Sequence, residues 1–157
     1  MYVGLIEMKT DERVVAYPEF LTICHSAKDR FDFLEKVSGL RLTEEAWPAG
    51  DSFRDGFHLS YTGHPVSVLV EYYDMELVIW FKKSHEKVPY LFIDHELMNN
   101  RSGFAGCMFP RNKLADAVSR MADDIRLHYD DVLAGDVHVW QRLCAAWNAP
   151  REKKRLP

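Results

Sequence analysis

The spacing of apolar residues changes twice along the chain, and this constrains the fold more than any other feature. Between residues 18 and 37 apolar side chains recur three or four positions apart, which predicts helix in one or two pieces, ended by Gly39. The middle of the chain alternates apolar and polar residues, and the last third returns to helical spacing. Helical, β and helical segments in that order predict an α+β fold.

The alternating middle segment predicts an antiparallel sheet of four or more strands, packed by N-terminal and C-terminal helices. Three strands are predicted at residues 57–61, 66–72 and 76–83, and residues 90–93 are the predicted fourth strand. Short connections favour antiparallel pairing. Residues 40–51 are predicted as a loop. Because both faces of the strands carry apolar residues, we expect helices on one side and aromatic side chains available on the other.

The last third predicts two helices. Pro110 and Asn112 mark the start of the first, whose apolar stripe is Leu114, Ala117, Val118, Met121 and Ile125. Gly135 then breaks the chain, and Asp136 is the predicted cap of a final helix with Val137, Trp140, Cys144 and Trp147 on its buried face. No repeat or linker divides the chain. We therefore predict one domain, 1–150, followed by a flexible basic tail, 151–157.

Charge and cysteine content limit the classes of partner. A net charge of −4 and a pI near 6.0 provide no cationic field for phosphates, so nucleic acid is not an expected partner. The three cysteines are odd in number and widely spaced, which is not typical of a disulfide framework. Charge appears early at the N-terminus, and no later stretch has the length of a membrane span. A cytoplasmic protein without membrane contact is expected.

No motif in the sequence predicts catalysis, a metal site or a cofactor. The segment from His95 to Asn99 is similar to the opening of the zincin motif, but Asn99 replaces the second histidine. The neighbours Cys24 and His25 would point about 100 degrees apart on a helix. An enzyme with a scattered, motif-free active site stays open as an alternative, with four candidate residues: His58, His95, Asp94 and Glu96.

Two acidic clusters are candidates for partner binding. One surrounds the central hairpin beside tyrosines, and the other lies at the end of the long predicted helix. Carboxylates orient a basic partner and buried tyrosines anchor it, although an ordinary solvated face explains either cluster alone. The predicted partner-binding residues are Tyr72, Asp74, Glu76, Asp123, Asp124, Asp130 and Asp131.

Two segments resemble the small bacterial immunity proteins of contact-dependent inhibition and other polymorphic toxin systems. The first is Tyr-Tyr-Asp-Met-Glu-Leu-Val-Ile-Trp-Phe at residues 72–81, and the second is Leu-Ala-Gly-Asp at residues 133–136, followed by Trp140 and Leu143. The resemblance implies a cytosolic antidote that binds one cognate toxin domain and blocks its active site or substrate groove. A nuclease toxin would be basic. The remaining alternative is a structural, self-associating subunit.

Overall fold

The structure is a computed structural model that describes residues 18–46 and 56–149. It confirms the α+β class: a five-stranded antiparallel sheet, in the order β1-β2-β3-β4-β5, is formed by the middle of the chain, with helices before and after it in the sequence. The helices are α1 Pro18–Arg30, α2 Phe33–Lys36, α3 Tyr90–Met98, α4 Arg111–His128, α5 Asp130–Ala134 and α6 Val137–Trp147. The strands are β1 Arg41–Ala46, β2 Gly56–Thr62, β3 Val66–Tyr73, β4 Glu76–Lys83 and β5 Glu86–Pro89.

The sheet has one covered face and one open face. On β2 to β5 the buried side chains alternate with half-buried or exposed ones, and the buried set joins the apolar stripe of α4 in one core. On the other face no side chain longer than glycine is fully buried along these four strands. We call this the open face; its residues are His58, Ser60, Thr62, Ser67, Leu69, Glu71, Tyr73, Glu76, Val78, Trp80, Lys82, Lys87 and Pro89.

Most of the predicted helical features are confirmed. The N-terminal helix occurs in two pieces, and Gly39 follows them at φ +75°. The predicted stripe of α4 is buried. Asp136 caps α6, because its Oδ1 accepts a hydrogen bond from the Val139 amide at 3.0 Å. On α6, however, Val137 is exposed while Leu143 is buried.

Gly135 sits where two turns approach each other. Its φ is +74°, and a Cβ built on it would lie 2.3 Å from Cγ of Pro65, in the β2–β3 turn. Only glycine fits both the left-handed backbone and the available space. This contact fixes the turn between α5 and α6 against the end of the sheet where β2 and β3 are joined.

Two local predictions are wrong. Residues 90–93 form the start of helix α3, and the strand that precedes it ends at Pro89, which has no N–H to continue the pairing. Tyr90, Ile93 and Asp94 are buried at helical spacing. A short apolar run such as residues 90–93 is compatible with a strand or with a helix, which is why the prediction failed. Within the predicted loop 40–51, residues 41–46 form β1, whose largely exposed and charged sequence is typical of an edge strand.

Some predictions fall on residues that the structure does not describe. The loop-like residues 47–51 and the basic tail 151–157 lie outside the described ranges. Within residues 18–46 and 56–149, no helix combines the length and the apolarity that crossing a membrane requires.

Candidate partner-binding surface

Of two neighbouring tyrosines, Tyr72 was predicted to bind a partner, but the structure buries Tyr72 and exposes Tyr73. Tyr72 is only 1% exposed, and its hydroxyl donates to the Phe109 carbonyl oxygen at 2.8 Å. Tyr72 lies in phase with Val68 and Val70 on the covered face, so its side chain offers a partner little accessible surface. Tyr73, the next residue, faces the other way and is 46% exposed.

A tight hairpin presents the first acidic cluster. Tyr73 pairs with Glu76 across a two-residue turn, in which Asp74 and Met75 have φ values of 53° and 68°. Asp74 and Glu76 are exposed, as predicted, and Met75 is 48% exposed. The turn therefore places two carboxylates beside an aromatic and an aliphatic side chain.

Residues 107–109, which we call the strap, fasten this hairpin to the rest of the fold. The Leu77 amide donates to the Cys107 carbonyl oxygen at 2.8 Å, and the Phe109 amide donates to the Met75 carbonyl oxygen at 2.7 Å. Met108 lies between these two bonds, bridges to Glu76 and is 56% exposed. Tyr73, Met75 and Met108 are three of the six large hydrophobic side chains that are exposed among the described residues.

A cavity of about 430 Å³ opens at this end of the sheet. Among the described residues, its lining includes three carboxylates and no Lys or Arg. We call this region the acidic end; the residues lining the cavity are Phe57, Glu71, Tyr72, Tyr73, Asp74, Glu76, Val78 and Met108. The space and its charge suit a basic side chain.

Polar contacts order the middle of the open face. Trp80 Nε1 donates to Glu71 Oε1 at 2.9 Å, and His58 Nδ1 lies 3.5 Å from Glu71 Oε2. His58 Nε2 lies 3.0 Å from Glu44 Oε1, without the alignment of a hydrogen bond. Hydrogen bonding to Glu71 raises the pKa of His58, against the effect of its partial burial. The same bond from His58 lowers the pKa of Glu71, so both side chains favour their charged forms.

The opposite end of the open face has the opposite charge. Lys82 and Lys87 lie directly across from each other on β4 and β5, and Lys87 Nζ is 4.4 Å from the centre of a Trp80 ring. They border a cavity of about 300 Å³, and none of the described residues that line it is Asp or Glu. We call this region the basic end; its cavity is lined by Ser60, Thr62, Ser67, Val68, Leu69, Trp80, Lys82 and Lys87.

The second predicted acidic cluster contains one residue with a structural role. Asp124 has a side chain only 13% exposed, and it accepts hydrogen bonds from the Tyr90 hydroxyl at 2.7 Å and from Arg101 at 2.8 Å. Asp123 lies 3.6 Å from Arg126, while Asp130 and Asp131 are exposed at the start of α5. Asp124 thus joins α4 to α3 and the loop that follows it.

The two acidic clusters lie toward opposite ends of the molecule. The strap holds the beginning of α4 against the β3–β4 turn. From there α4 extends about 27 Å over its 18 residues. Beyond it, the α5–α6 turn packs against Pro65, in the β2–β3 turn. The structure therefore groups Asp74 and Glu76 in one place and Asp123, Asp130 and Asp131 in another.

The candidate catalytic residues do not converge. Asp94 is buried and accepts hydrogen bonds from the amide and hydroxyl of Ser102 at 3.2 and 2.7 Å, whereas Glu96 lies near Arg142 at the surface. Because α3 is helical, Asp94 and Glu96 do not share a face, as they would on a strand. His95 is exposed, and His58 lies on the open face.

Cys24 and His25 also remain apart. Cys24 is buried and His25 is exposed, as their positions on a helix predicted. Burial raises the pKa of the Cys24 thiol to about 12, which keeps it protonated. Across the described ranges, no three His, Cys, Asp or Glu side chains are grouped to hold a metal ion.

Comparison of the chain with protein-family models, curated proteins and solved structures found no significant match.

Proposed function

We propose that this protein is a protein-binding inhibitor of the immunity type, which docks a basic toxin domain on its acidic end. One observation carries the proposal: two exposed large hydrophobic side chains, Tyr73 and Met108, line a cavity together with three carboxylates, and a third, Met75, is exposed in the adjoining turn. Such a combination of apolar and charged groups is typical of binding surfaces.

The two kinds of side chain have different tasks in this proposal. Tyr73, Met75 and Met108 supply apolar area that a partner buries, and this area provides most of the affinity. Asp74 and Glu76 attract a Lys or Arg of the partner and set its orientation. If the toxin is a nuclease, these carboxylates occupy positions that its basic groove holds for phosphates.

The acidic end is held in place before any partner arrives. Two backbone hydrogen bonds from the strap fix the hairpin, and Trp80 holds the Glu71 carboxylate in one orientation. A surface that is already ordered loses little conformational entropy on binding. This rigidity supports a role in tight, specific recognition.

Binding to the product of the neighbouring gene tests the proposal, especially if that product is a large secreted protein with a variable C-terminal domain. We expect the purified C-terminal domain to bind the chain in isothermal titration calorimetry. The double variant Tyr73→Ala/Glu76→Lys should weaken this binding by about a hundredfold, because an apolar anchor is lost and a charge is reversed.

A matched control makes the same kinds of change at the other acidic cluster. Leu127 and Asp130 are both exposed there, so Leu127→Ala/Asp130→Lys should leave the affinity within about threefold of the original. Stronger loss in this control than in the Tyr73 and Glu76 variant would contradict the acidic end as the docking site. A chain that binds no neighbouring gene product, in an unrelated gene neighbourhood, would contradict the immunity function itself.

A further inference from the structure

We propose that the open face also binds a second copy of this chain, with the acidic end of each copy against the basic end of the other. The two copies are related by a two-fold axis that lies between the sheets and runs across the strands. This inference does not depend on the toxin, since it concerns the chain alone.

Charge is separated along the open face, with carboxylates at one end and lysines at the other. Of the described charged residues, Glu71, Asp74 and Glu76 line the cavity at the acidic end, with no Lys or Arg from the same part of the chain. Lys82 and Lys87 line the cavity at the basic end, where no described Asp or Glu lies. A rotation that reverses the strand direction places each cavity opposite one of the other sign, so the face is complementary to itself.

Two lysines of the open face are paired across neighbouring strands. Like charges directly opposite each other on neighbouring strands destabilise the pairing. Lys82 and Lys87 occupy such positions, and no described carboxylate forms an ion pair of 4 Å or less with either. Glu71 of the same chain interacts with Lys87 only at longer range, where the lysine helps to lower the pKa of that carboxyl. Carboxylates from a second copy, Asp74 and Glu76, would relieve the remaining repulsion.

The centre of the face suits close contact. Leu69 and Trp80 face each other across β3 and β4, and Val78 lies on the same side; all three are half-buried. In the proposed arrangement they lie near the two-fold axis and pack against their counterparts. Apolar groups at the centre with charges toward both ends follow the usual division of an interface into core and rim.

The size of the face fits a weak dimer. The four strands of the open face, spaced about 4.8 Å apart, hold 27 residues at about 3.4 Å each, which gives roughly 440 Å² of flat sheet. Projecting side chains raise the accessible area toward the 800 Å² or so that each partner buries in a standard interface. Because charges contribute at both ends, we expect the dimer to weaken as salt concentration rises.

Sedimentation of the full chain across a range of concentrations provides the test. We expect a monomer–dimer equilibrium with a dissociation constant in the micromolar range, roughly 10 to 100 μM, which increases with salt. Sedimentation as a monomer up to the solubility limit would overturn the proposal.

Charge reversal identifies the face. One variant, Lys82→Glu/Lys87→Glu, makes both ends acidic; another, Asp74→Asn/Glu76→Lys, removes the negative charge of the turn and reverses that of the strand while keeping a residue that tolerates positive φ at position 74. Each variant alone should dimerise at least about tenfold more weakly, because carboxylates meet carboxylates in the first variant, while the acidic end of the second keeps only Glu71 and gains a lysine that faces Lys82 and Lys87. A one-to-one mixture should form a heterodimer, because opposite charges meet again at both ends.

A control separates this result from a general effect of charge. Lys36→Glu/Lys113→Glu carries the same change of charge at exposed positions outside the open face and should dimerise like the original chain. Circular dichroism and thermal melts establish that each variant is folded. The proposal would be overturned if the charge-reversal variants dimerised with an unchanged dissociation constant. It would also be overturned if the two variants failed to associate when mixed.

Discussion

The indole N–H of Trp80 donates to the Glu71 carboxylate across the β3–β4 pair at 2.9 Å. This bond lies at the junction of the acidic and basic ends, since Glu71 lines one cavity and Trp80 lines the other. The same carboxylate also meets His58, so the charge at the centre of the open face depends on the protonation of a histidine.

The His58–Glu71 pair makes the stability of the fold depend on pH. Because the pKa of His58 is raised, its contribution is complete below the ordinary histidine value of 6.5 and is lost as pH rises through the raised pKa. Because the pKa of Glu71 is lowered, its contribution is present above the ordinary value of 4.5 and is lost as pH falls through the lowered pKa. The pair should stabilise most between these two ordinary values.

Glu71→Gln measures this effect, because the amide oxygen still accepts the Trp80 bond. Urea unfolding should show a larger loss of stability at about pH 5.5 than at about pH 8, and the pKa of His58, followed by NMR, should fall toward its ordinary value. Equal losses at the two pH values would contradict the pairing. Glu44 also faces His58 and will leave part of the upward pKa shift in place.

Tyr72 and Tyr73 should separate stability from binding. Tyr72→Phe removes the hydroxyl that bonds to the Phe109 carbonyl oxygen, and we expect a loss of about 1 kcal/mol in the free energy of unfolding with partner affinity unchanged. Tyr73→Ala should leave stability within about 0.5 kcal/mol while weakening partner binding. Denaturant unfolding and calorimetry on the same samples distinguish the two, and the reverse pattern would place the contact on Tyr72.

Gly135 and Gly39 form a matched pair of glycines at nearly equal positive φ. Gly39→Ala meets nothing within 4 Å, so it should cost only the backbone strain of about 1 kcal/mol. Gly135→Ala adds a clash with Pro65 and should cost about 2 kcal/mol more. Thermal or urea unfolding compares them, and equal costs would show that the two turns can separate without penalty.

Tyr129 offers a substitution that should not destabilise. Its ring is fully buried and stacks on Phe81 and Tyr90, yet its hydroxyl has no hydrogen-bond partner within the described part of the chain. Tyr129→Phe should therefore leave the free energy of unfolding unchanged or raise it by up to about 1 kcal/mol. Tyr90→Phe, which loses the bond to Asp124, should lower it by about 1 to 2 kcal/mol. A loss on Tyr129→Phe as large as that on Tyr90→Phe would contradict the assignment.

Hydrophobic spacing predicted the sheet and the long helix because it depends only on neighbours in the chain. The same rule places Tyr72 with Val68 and Val70, so its burial could have been read from the alternation. Residues 90–93 were too short a run to separate strand from helix, and the charged strand β1 shows little apolar alternation.

The surface features depend on contacts that are distant in sequence. Met108, in the strap, forms a β-bridge with Glu76, and no local sequence pattern predicts this contact. The pairing of Lys82 with Lys87 requires the register of the β4–β5 hairpin, which the missed strand β5 supplies. The sequence could therefore identify candidate carboxylates. It could not predict the cavities that bring some of them together and keep others apart.

The strap has a further consequence for how this sheet can meet other molecules. The outer edge of β4 is occupied by the strap at Leu77 and by β5 from Trp80 onward, and β5 itself is four residues long and ends in proline. An incoming strand would find too few consecutive backbone groups to extend the ladder on that side. This margin therefore disfavours fibril growth by strand addition. A partner that meets this side of the sheet must pack against a face of it instead of extending the ladder.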